Sequence, residues 1–350
     1  MVAQELPSLE LPRRYVDMPA QTSFLESVCH NHAFRAHSVF VPVSAAGAPG
    51  AAGLYEVDLR TDAVTKICAL DPAHDYFGSK ITNEGRCFIC VGGCGQVLSV
   101  DLRSPSPRAQ VLCELPGSYH ANDLAIDTRG GRLLMACNDE LYSLESTRGQ
   151  ILNTLRITAI GGGAVFSVPL SGGTPTELIG GFRVLAGSVY VAERHTLWLS
   201  ELNNLIRMPL DQPGAWTRVS SFDPRLFADN MDASEDTLLF PFYREGSRAQ
   251  TFVMRSALIA RLGYALGRLL PERMFGEPAT PGQAADRFDH VCFAIHSRAS
   301  KQTHCHRLDL SADGFDGHCT AVERVGHQLV FINYLERRLL IVDASSLFAN

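Results

Sequence analysis

The sequence predicts an all-β fold, specifically a six-bladed β-propeller built of four-stranded blades. Two observations carry this prediction: helical periodicity is almost absent, and one short strand pattern returns along the chain. In this pattern apolar positions flank polar ones and are followed by Asp or Pro, and usually by Leu. It occurs as LYEVDL (54–59), VLSVDL (97–102), VFSVPL (165–170), LIRMPL (205–210), CHRLDL (305–310) and LLIVDA (339–344). Self-similar strand groups that return about every 40 residues are typical of propeller blades.

Between these repeats lie pairs of strands separated by polar turns. The clearest pairs are LAID-TRGG-RLLMAC (124–137), NMDA-SEDT-LLFPFY (230–243) and CTAVERVGHQLVFINY (319–334). Each pair alternates apolar and polar residues with a period of two, as half-buried strands do. The innermost strands are predicted to start near six residues, one for each blade: Glu26, Gly78, Asn122, Ala186, Asp229 and Thr320. A pair of β-sandwiches is the alternative, but a sandwich would not require the repeat.

The two ends of the chain are predicted to meet in the last blade. This blade lacks an outer strand after Asp343, and the N-terminal segment 1–20 contains the strand-like run LPRRYVD. If this segment supplies the missing strand, the ring closes and no open sheet edge remains. We therefore expect residues 1–350 to form a single propeller domain.

One segment departs from the β pattern and predicts an amphipathic helix over 255–275, inserted after the inner strands of the fifth blade. Its apolar residues recur at helical spacing, and Pro271 ends the run. The charged residues on it are four arginines and one acid: Arg255, Arg261, Arg268, Arg273 and Glu272. Such a helix makes weak contact with a membrane surface, covers a pocket, or packs its apolar stripe on the body of the protein. All three interpretations stay open.

Composition and charge restrict the partners and the compartment. The chain carries 31 basic and 37 acidic residues and a net charge of -6, so we expect no binding to nucleic acid. Its 46% of apolar residues are enough for a large core and exclude a disordered chain. No basic start followed by an apolar run is present, so no secretory signal is predicted. The ten cysteines are therefore expected to be free thiols in the cytoplasm.

The starts of the innermost strands bring polar residues together, because these strands face the central channel of a propeller. Glu26, Asn122 and Asp229 approach from the first, third and fifth blades. Two carboxylates and an amide form an all-oxygen set, which suits Ca²⁺ better than zinc. Two acids crowded in one channel also raise each other's pKa unless a cation lies between them.

Four segments carry a resemblance to a known superfamily: FLESV (24–28), HANDLAID (120–127), VLAGSVYVAERHTLWLSELNNLIRMPL (184–210) and FADNMD (227–232). They resemble the marker segments of six-bladed propellers that include strictosidine synthase-like proteins, gluconolactonases of the senescence-marker-protein type, diisopropylfluorophosphatase and the paraoxonases. The helix at 255–275 most resembles the strictosidine synthase-like branch. The resemblance extends from about residue 26 to residue 343, and it implies a six-bladed propeller.

The resemblance also implies a metal site. Glu26, Asn122 and Asp229 match three of the family's metal ligands. The fourth ligand is an asparagine before glycine, and here Ala186 stands in its place. Calcium prefers roughly six to eight oxygen ligands, so water or Asn230 would have to complete the shell.

The sixth blade departs from the pattern of the condensing enzymes that name the strictosidine branch. These enzymes use a glutamate near the start of that blade, where this sequence has Cys319 and Thr320, with Glu323 further along. Condensation of an amine with an aldehyde is therefore not expected.

What the resemblance implies is calcium-dependent hydrolysis of a small lactone or ester, in which the cation polarises the carbonyl group. Asp229 would ligate the metal or act as a nucleophile. His120 would act as a proton shuttle, or it is a histidine with its hydrogen bonds satisfied inside a strand. The alternative function is a non-catalytic binding or scaffold propeller with a degenerate metal site, which Ala186 favours.

Overall fold

The structure is a computed structural model that describes residues 8–45, 48, 50–139, 147–201, 203–222, 226–234, 236–245, 257–271, 274, 288–333 and 336–348. These residues form six sheets in which strands that follow one another in the chain lie side by side. The predicted six-bladed β-propeller is thereby confirmed. Five sheets are four-stranded, and the sheet of the fifth blade gains an N-terminal strand.

The strands run from the innermost to the outermost position of each blade. The strands that precede the first blade are β1 (Ser8–Leu9) and β2 (Arg13–Asp17). Blades one to three contain β3 (Cys29–His30), β4 (Ser38–Val43), β5 (Gly53–Asp58) and β6 (Ala63–Ala69); β7 (Tyr76–Ile81), β8 (Arg86–Val91), β9 (Gln96–Asp101) and β10 (Ala109–Glu114); and β11 (Tyr119–Asp127), β12 (Arg132–Asp139), β13 (Gly163–Pro169) and β14 (Thr176–Phe182). Blades four to six contain β15 (Leu185–Val191), β16 (Thr196–Glu201), β17 (Asn204–Pro209) and β18 (Thr217–Ser221); β19 (Leu226–Ala228), β20 (Asp232–Ser234), β21 (Thr237–Glu245), β22 (His290–Ser297) and β23 (Thr303–Asp309); and β24 (Cys319–Val325), β25 (Gln328–Asn333) and β26 (Arg338–Asp343). The helices are α1 (Thr147–Ile160), α2 (Ala257–Leu269) and α3 (Ser345–Phe348), with single 3₁₀ turns at Ala192–Arg194 and Pro213–Ala215.

Strand β2 is the outer strand of the sixth blade. It pairs antiparallel with β26, from Arg13 opposite Val342 to Asp17 opposite Arg338. The neighbouring β1 pairs parallel with β23 of the fifth blade. Residues 1–7 of the segment that was expected to close the ring lie outside the described residues. The N-terminal strands thus complete two blades whose other strands come from the C-terminal third of the chain.

The core lies between the blades, because each sheet packs a face of buried apolar side chains on its neighbour. The Phe293 and Phe331 rings of the fifth and sixth blades, for example, meet edge to face at 5.4 Å. Buried residues of the first and second blades, such as Phe40 and Ile89, share another cluster. Burial of apolar surface stabilises such contacts by about 25 cal/mol per Å². Each blade is therefore held by both of its neighbours around the ring.

Among the residues that the structure describes, two helices interrupt the blades. Helix α2 lies between β21 and β22 and is the helix that was predicted over 255–275; residues 255, 256, 272, 273 and 275 lie outside the described residues. Helix α1, between β12 and β13, was not predicted from the sequence. Its apolar residues spread around the helix instead of forming one face, so the segment lacks the helical pattern. None of the described helices is long and apolar enough to span a bilayer.

The two helices pack against each other. Arg148 of α1 donates hydrogen bonds from Nε to the carbonyl oxygen of Gly267, at 3.2 Å, and from Nη2 to that of Arg268, at 2.8 Å. These bonds satisfy carbonyl groups at the C-terminal end of α2, which have no partner within the helix. At the middle of α2, Gly263 lies against Leu155. Helix α2 therefore contacts α1 through the side that carries its small residues.

The leucine stripe of α2 is exposed instead. Its exposed fractions are 69% for Leu258, 56% for Leu262, 61% for Leu266 and 82% for Leu269. The interpretation in which this stripe packs on the body of the protein is therefore wrong. The reason is that α1 supplies a partner for the opposite, glycine-containing side of the helix.

Both helices lie at the end of the propeller where the innermost strands begin. Successive strands of a blade alternate in direction, so the connection between the second and third strands returns to that end. A contact made by the C-terminal half of α1 agrees with this position. Arg156 pairs with the Asp139 side chain, and its Nη1 donates to the carbonyl oxygen of Asp139 at 2.9 Å. Asp139 lies opposite Tyr119, the first residue of β11.

Candidate functional site in the central channel

The innermost strands carry an extra residue at a common level. Asn122 and Thr320 are each inserted between two consecutive pairs of their ladders. Residues 77–78 and 186–187 lie opposite a single residue of the adjacent strand, and residues 229–231 opposite two. Such bulges redirect side chains and are frequent beside active sites. The positions singled out in the sequence therefore coincide with the bulges.

Hydrogen bonds at this level join neighbouring blades. Between blades one and two, the Ser79 amide donates to Ser27 Oγ at 2.9 Å. Asn122 Nδ2 donates to the carbonyl oxygen of Ala186 at 2.9 Å, from blade three to blade four. Thr320 Oγ1 donates to the carbonyl oxygen of Glu26 at 3.0 Å, from blade six to blade one.

At two of the three other joints, those between blades two and three and between blades four and five, glycine permits the closest approach. A Cβ atom added to Gly78 would lie 2.4 Å from Asp123 Oδ1, and one added to Gly187 would lie 2.3 Å from the carbonyl oxygen of Asp229. Both distances are too short for any side chain without movement of the neighbour. The ring at this level is therefore closely packed, and its polar side chains are positioned by main-chain contacts.

The four residues predicted to hold a metal all lie at this level. Glu26, Asp229 and Asn230 are buried, and Asn122 is partly exposed. Asn230 Nδ2 donates to the carbonyl oxygen of Glu26 at 3.1 Å, which ties the fifth blade to the first. Ala186 occupies the corresponding place in the fourth blade and offers only its carbonyl oxygen, which Asn122 already binds.

The carboxyl groups at this level are held in an unfavourable electrostatic environment. Burial and the nearby Asp229 raise the pKa of Glu26 well above its usual range. Burial and Asp123 do the same to the pKa of Asp229. The pKa of Asp123 is raised by burial to about 6, although Lys80 and the Ser188 amide oppose the shift. These groups accept either protons or a cation, because bare charges in such a place are costly.

Three buried carboxylate and amide oxygens at this level have no hydrogen-bond partner among the described residues: Asp123 Oδ1, Asp229 Oδ1 and Asn230 Oδ1. An unsatisfied buried acceptor costs about 1–3 kcal/mol, so each is available for a ligand. Carboxylate and amide oxygens are the ligands that Ca²⁺ prefers. Among the described residues, no group of three His, Cys, Asp or Glu has the arrangement of a metal site. The residues present therefore fit a cation only if amide oxygens and water share its coordination.

Lys80 lies further along the channel, away from the helices. Its Nζ donates to the carbonyl oxygen of Met231 at 2.9 Å, which joins the second blade to the fifth across the channel. Burial lowers the pKa of Lys80, but Asp123, Glu323 and Asp232 outweigh it and raise that pKa above its ordinary value. The ammonium group is thus a fixed positive charge beyond the three unpartnered oxygens.

Sequence reasoning missed Lys80 and Asp123 as members of the site. Two signals could have found them. Lys80 is a charged residue in the middle of the strand YFGSKI, whose other inward positions are apolar or small. Asp123 directly follows Asn122 in HANDLAID, and its Oδ2 accepts the Ser188 amide at 2.7 Å.

His120 is buried two residues before Asn122, in β11. Burial lowers its pKa to about 4, against the opposing effect of Asp139. Its ring lies 6.2 Å from the ring of Phe77. The imidazole is therefore neutral at pH 7, and a proton shuttle at this position would act as a weak base.

The fold is shared with solved propellers of low sequence identity. The luciferin-regenerating enzyme has a TM-score of 0.58 and 8% identity, with 95% of each chain covered. Regucalcin from Agrobacterium tumefaciens, a calcium-binding protein, has a TM-score of 0.56 and 11% identity, covering 95% of this chain and 93% of that one. A gluconolactonase from Xanthomonas campestris has a TM-score of 0.56 and 12% identity, covering 95% and 89%.

These likenesses confirm the resemblance to gluconolactonase-type propellers at the level of the fold. At such identities they show the six-bladed architecture and no common activity. No known family profile matches the sequence, and no curated protein sequence is significantly similar to it.

Proposed function

We propose that this protein is a calcium-dependent hydrolase of a small lactone or ester, with its active site at the helix-covered end of the channel. The observation that carries the proposal is the convergence of Glu26, Asp229 and Asp123, whose carboxyl groups have raised pKa values, with three unpartnered oxygens at one level of the ring. Solved propellers that include gluconolactonases and a calcium-binding protein support the same class.

In this proposal, Glu26, Asn122, Asp229 and Asn230 hold the cation. When bound, the cation supplies Lewis-acid polarisation of the substrate carbonyl and stabilises the developing negative charge. Ala186 leaves one coordination position to water or substrate, and such an open position is what a catalytic metal site needs.

The chain's own residues supply orientation and proton transfer. The Ser188 amide holds Asp123 Oδ2, so its other oxygen stays directed away from this bond. Asp229 would ligate the metal, or its carboxylate would attack the substrate carbonyl and displace the alkoxide of the ester or lactone, after which water would hydrolyse the acyl-enzyme. The neutral His120 accepts or passes a proton at the channel mouth. Helices α1 and α2 lie at the same end of the propeller.

Calorimetric titration of the metal-free protein with calcium tests the site. We expect saturable binding in the parent protein, and a loss of affinity of at least about tenfold in Asp229→Asn and Glu26→Gln, because each removes one charged ligand. Asp101→Asn, on an exposed strand end, serves as the control and should bind like the parent. Absence of calcium binding to the folded parent protein would contradict the metal proposal.

A panel of small lactones and aryl esters tests the reaction. We expect calcium-dependent turnover that Asp229→Asn abolishes, while the folded state, measured by circular dichroism, is retained. Calcium binding without turnover of any ester or lactone would instead favour the non-catalytic binding propeller, which the missing ligand at Ala186 supports.

We also propose that α2 makes weak contact with the surface of anionic membranes. Its exposed leucines form one stripe, and Arg261 and Arg268 are exposed on the same helix, on which the described residues include no acid. Exposed apolar side chains flanked by basic ones are typical of helices that lie in the lipid interface.

A further inference from the structure

A cavity lies between blades four and five, at the end of the propeller opposite the helices. It has a volume of about 330 Å³. Its wall comes from the turn that joins β15 to β16, from the turns that join β20 to β21 and β22 to β23, and from the outward side of β16 and β17. This volume is within the range of small-molecule sites, which is roughly 300–1,000 Å³. The channel site does not use this cavity.

Three arginines line the cavity: Arg194, Arg207 and Arg298. Arg298 is already engaged, since its Nη1 donates to Glu193 Oε2 at 3.0 Å. The side chains of the other two have no ion pair or hydrogen bond to any part of the chain that the structure describes. The second acid in the wall, Asp236, makes no salt bridge to either of them. The wall thus carries three arginines and two acids, a net charge of +1, and two of its guanidinium groups make no ion pair with the described residues.

The remaining wall is largely apolar. Trp198 is buried and presents part of its indole to the cavity, together with Val191 and Ala299. Guanidinium groups bind phosphate or carboxylate oxygens in a bidentate fashion, and an indole face packs on a planar apolar group. Arg207 is the arginine that we expect to bind the anion most strongly, because it is partly buried and its Nε has no hydrogen-bond partner in the described part of the chain.

We propose that this cavity binds a small organic anion, with one phosphate or carboxylate group on a compact apolar body. The acidic group lies against Arg207 and Arg194, and the apolar body lies against Trp198. The proposal does not depend on the channel chemistry, because the two sites lie at opposite ends of the ring.

Tryptophan fluorescence provides a direct measurement. The chain has two tryptophans, so Trp216→Phe leaves Trp198 as the only one. This variant is titrated with phenyl phosphate, benzoate, inorganic phosphate and benzyl alcohol. We expect saturable changes in fluorescence with phenyl phosphate or benzoate. Benzyl alcohol lacks the acidic group and inorganic phosphate lacks the apolar body, so each should bind at least about tenfold more weakly. The tighter of the two acids identifies the anionic group.

Substitutions of the arginines then test the assignment. Arg207→Gln and the exposed Arg194→Gln, made in the same background, should each weaken binding by about tenfold or more, as expected for a lost charge-assisted hydrogen bond. Arg60→Gln, which is exposed on the first blade, is the matched control and should not change binding. No saturation up to about 10 mM ligand, or unchanged affinity in Arg194→Gln, would overturn the proposal.

Discussion

Asp123 illustrates how the burial of a single side chain makes the stability of the folded protein depend on pH. Its pKa is about 6 in the folded protein and 3.8 in its ordinary state, so between these values the folded chain binds more protons than the unfolded chain. Stability that is present at low pH is therefore lost as the pH rises through this window. Glu26 and Asp229 act in the same direction because burial raises their pKa values as well.

We expect Asp123→Asn to remove part of this pH dependence in metal-free protein. The parent should lose up to about 3 kcal/mol of unfolding free energy through this residue between pH 4 and pH 7, and the variant should lose less. Urea denaturation in the presence of a chelator, repeated at several pH values, measures the difference. Parallel pH profiles for the two proteins would show that Asp123 does not titrate as described.

Gly187 is the residue on which the joint between blades four and five depends. We expect Gly187→Ala to destabilise the fold by roughly 1–3 kcal/mol, because the added methyl group would lie 2.3 Å from the carbonyl oxygen of Asp229. Thermal unfolding measures the effect. Gly214→Ala is the control, since a Cβ atom there meets nothing within 4 Å. Equal melting temperatures for the two variants would refute the close approach.

The site residues Glu26, Asn122 and Asp229 could be selected from the sequence because strand starts converge on the axis of any propeller. Lys80 could not be placed by the same reasoning. Its side chain crosses to the opposite blade, and contacts between blades two and five depend on the diameter of the ring, which no local pattern encodes.

At the scale of elements, alternation predicted the strands but not their bulges. An extra residue, such as Asn122 in β11, shifts the pairing without changing the composition of the strand. Helix α2 was predictable because its leucines recur at helical spacing. Helix α1 was not, because its stability comes from packing on α2 and on the end of β12 and not from an apolar face of its own.

The exposed stripe of α2 gives a prediction that belongs to this scale. We expect the protein to float with phosphatidylserine vesicles at low salt and to dissociate at high salt, since each basic residue contributes about 1 kcal/mol near an anionic surface. Leu262→Ser combined with Leu266→Ser should abolish flotation. Val111→Ser, an equally exposed apolar residue on β10, should leave it unchanged. If the intact protein stays in the soluble fraction at low salt, the membrane proposal fails.

For the whole molecule, the number of blades followed from counting repeats, because every blade needs the same set of strand patterns to cover its neighbours. The cavity between blades four and five did not follow from the sequence. Arg194 and Arg207 belong to the fourth blade and Arg298 to the fifth, so only the stacking of these two blades brings all three together.

The pairing of β2 with β26 has a consequence for biosynthesis. The outer strand of the sixth blade is synthesised before all the other strands of that blade, and its partner β26 is the last strand of the blade to emerge from the ribosome. Until Arg338–Asp343 emerges, β2 has no neighbouring strand in the sixth blade, so the ring closes only after this segment has been synthesised. We expect chains that terminate before β26 to lack the β2–β26 pairing and to be retained by chaperones.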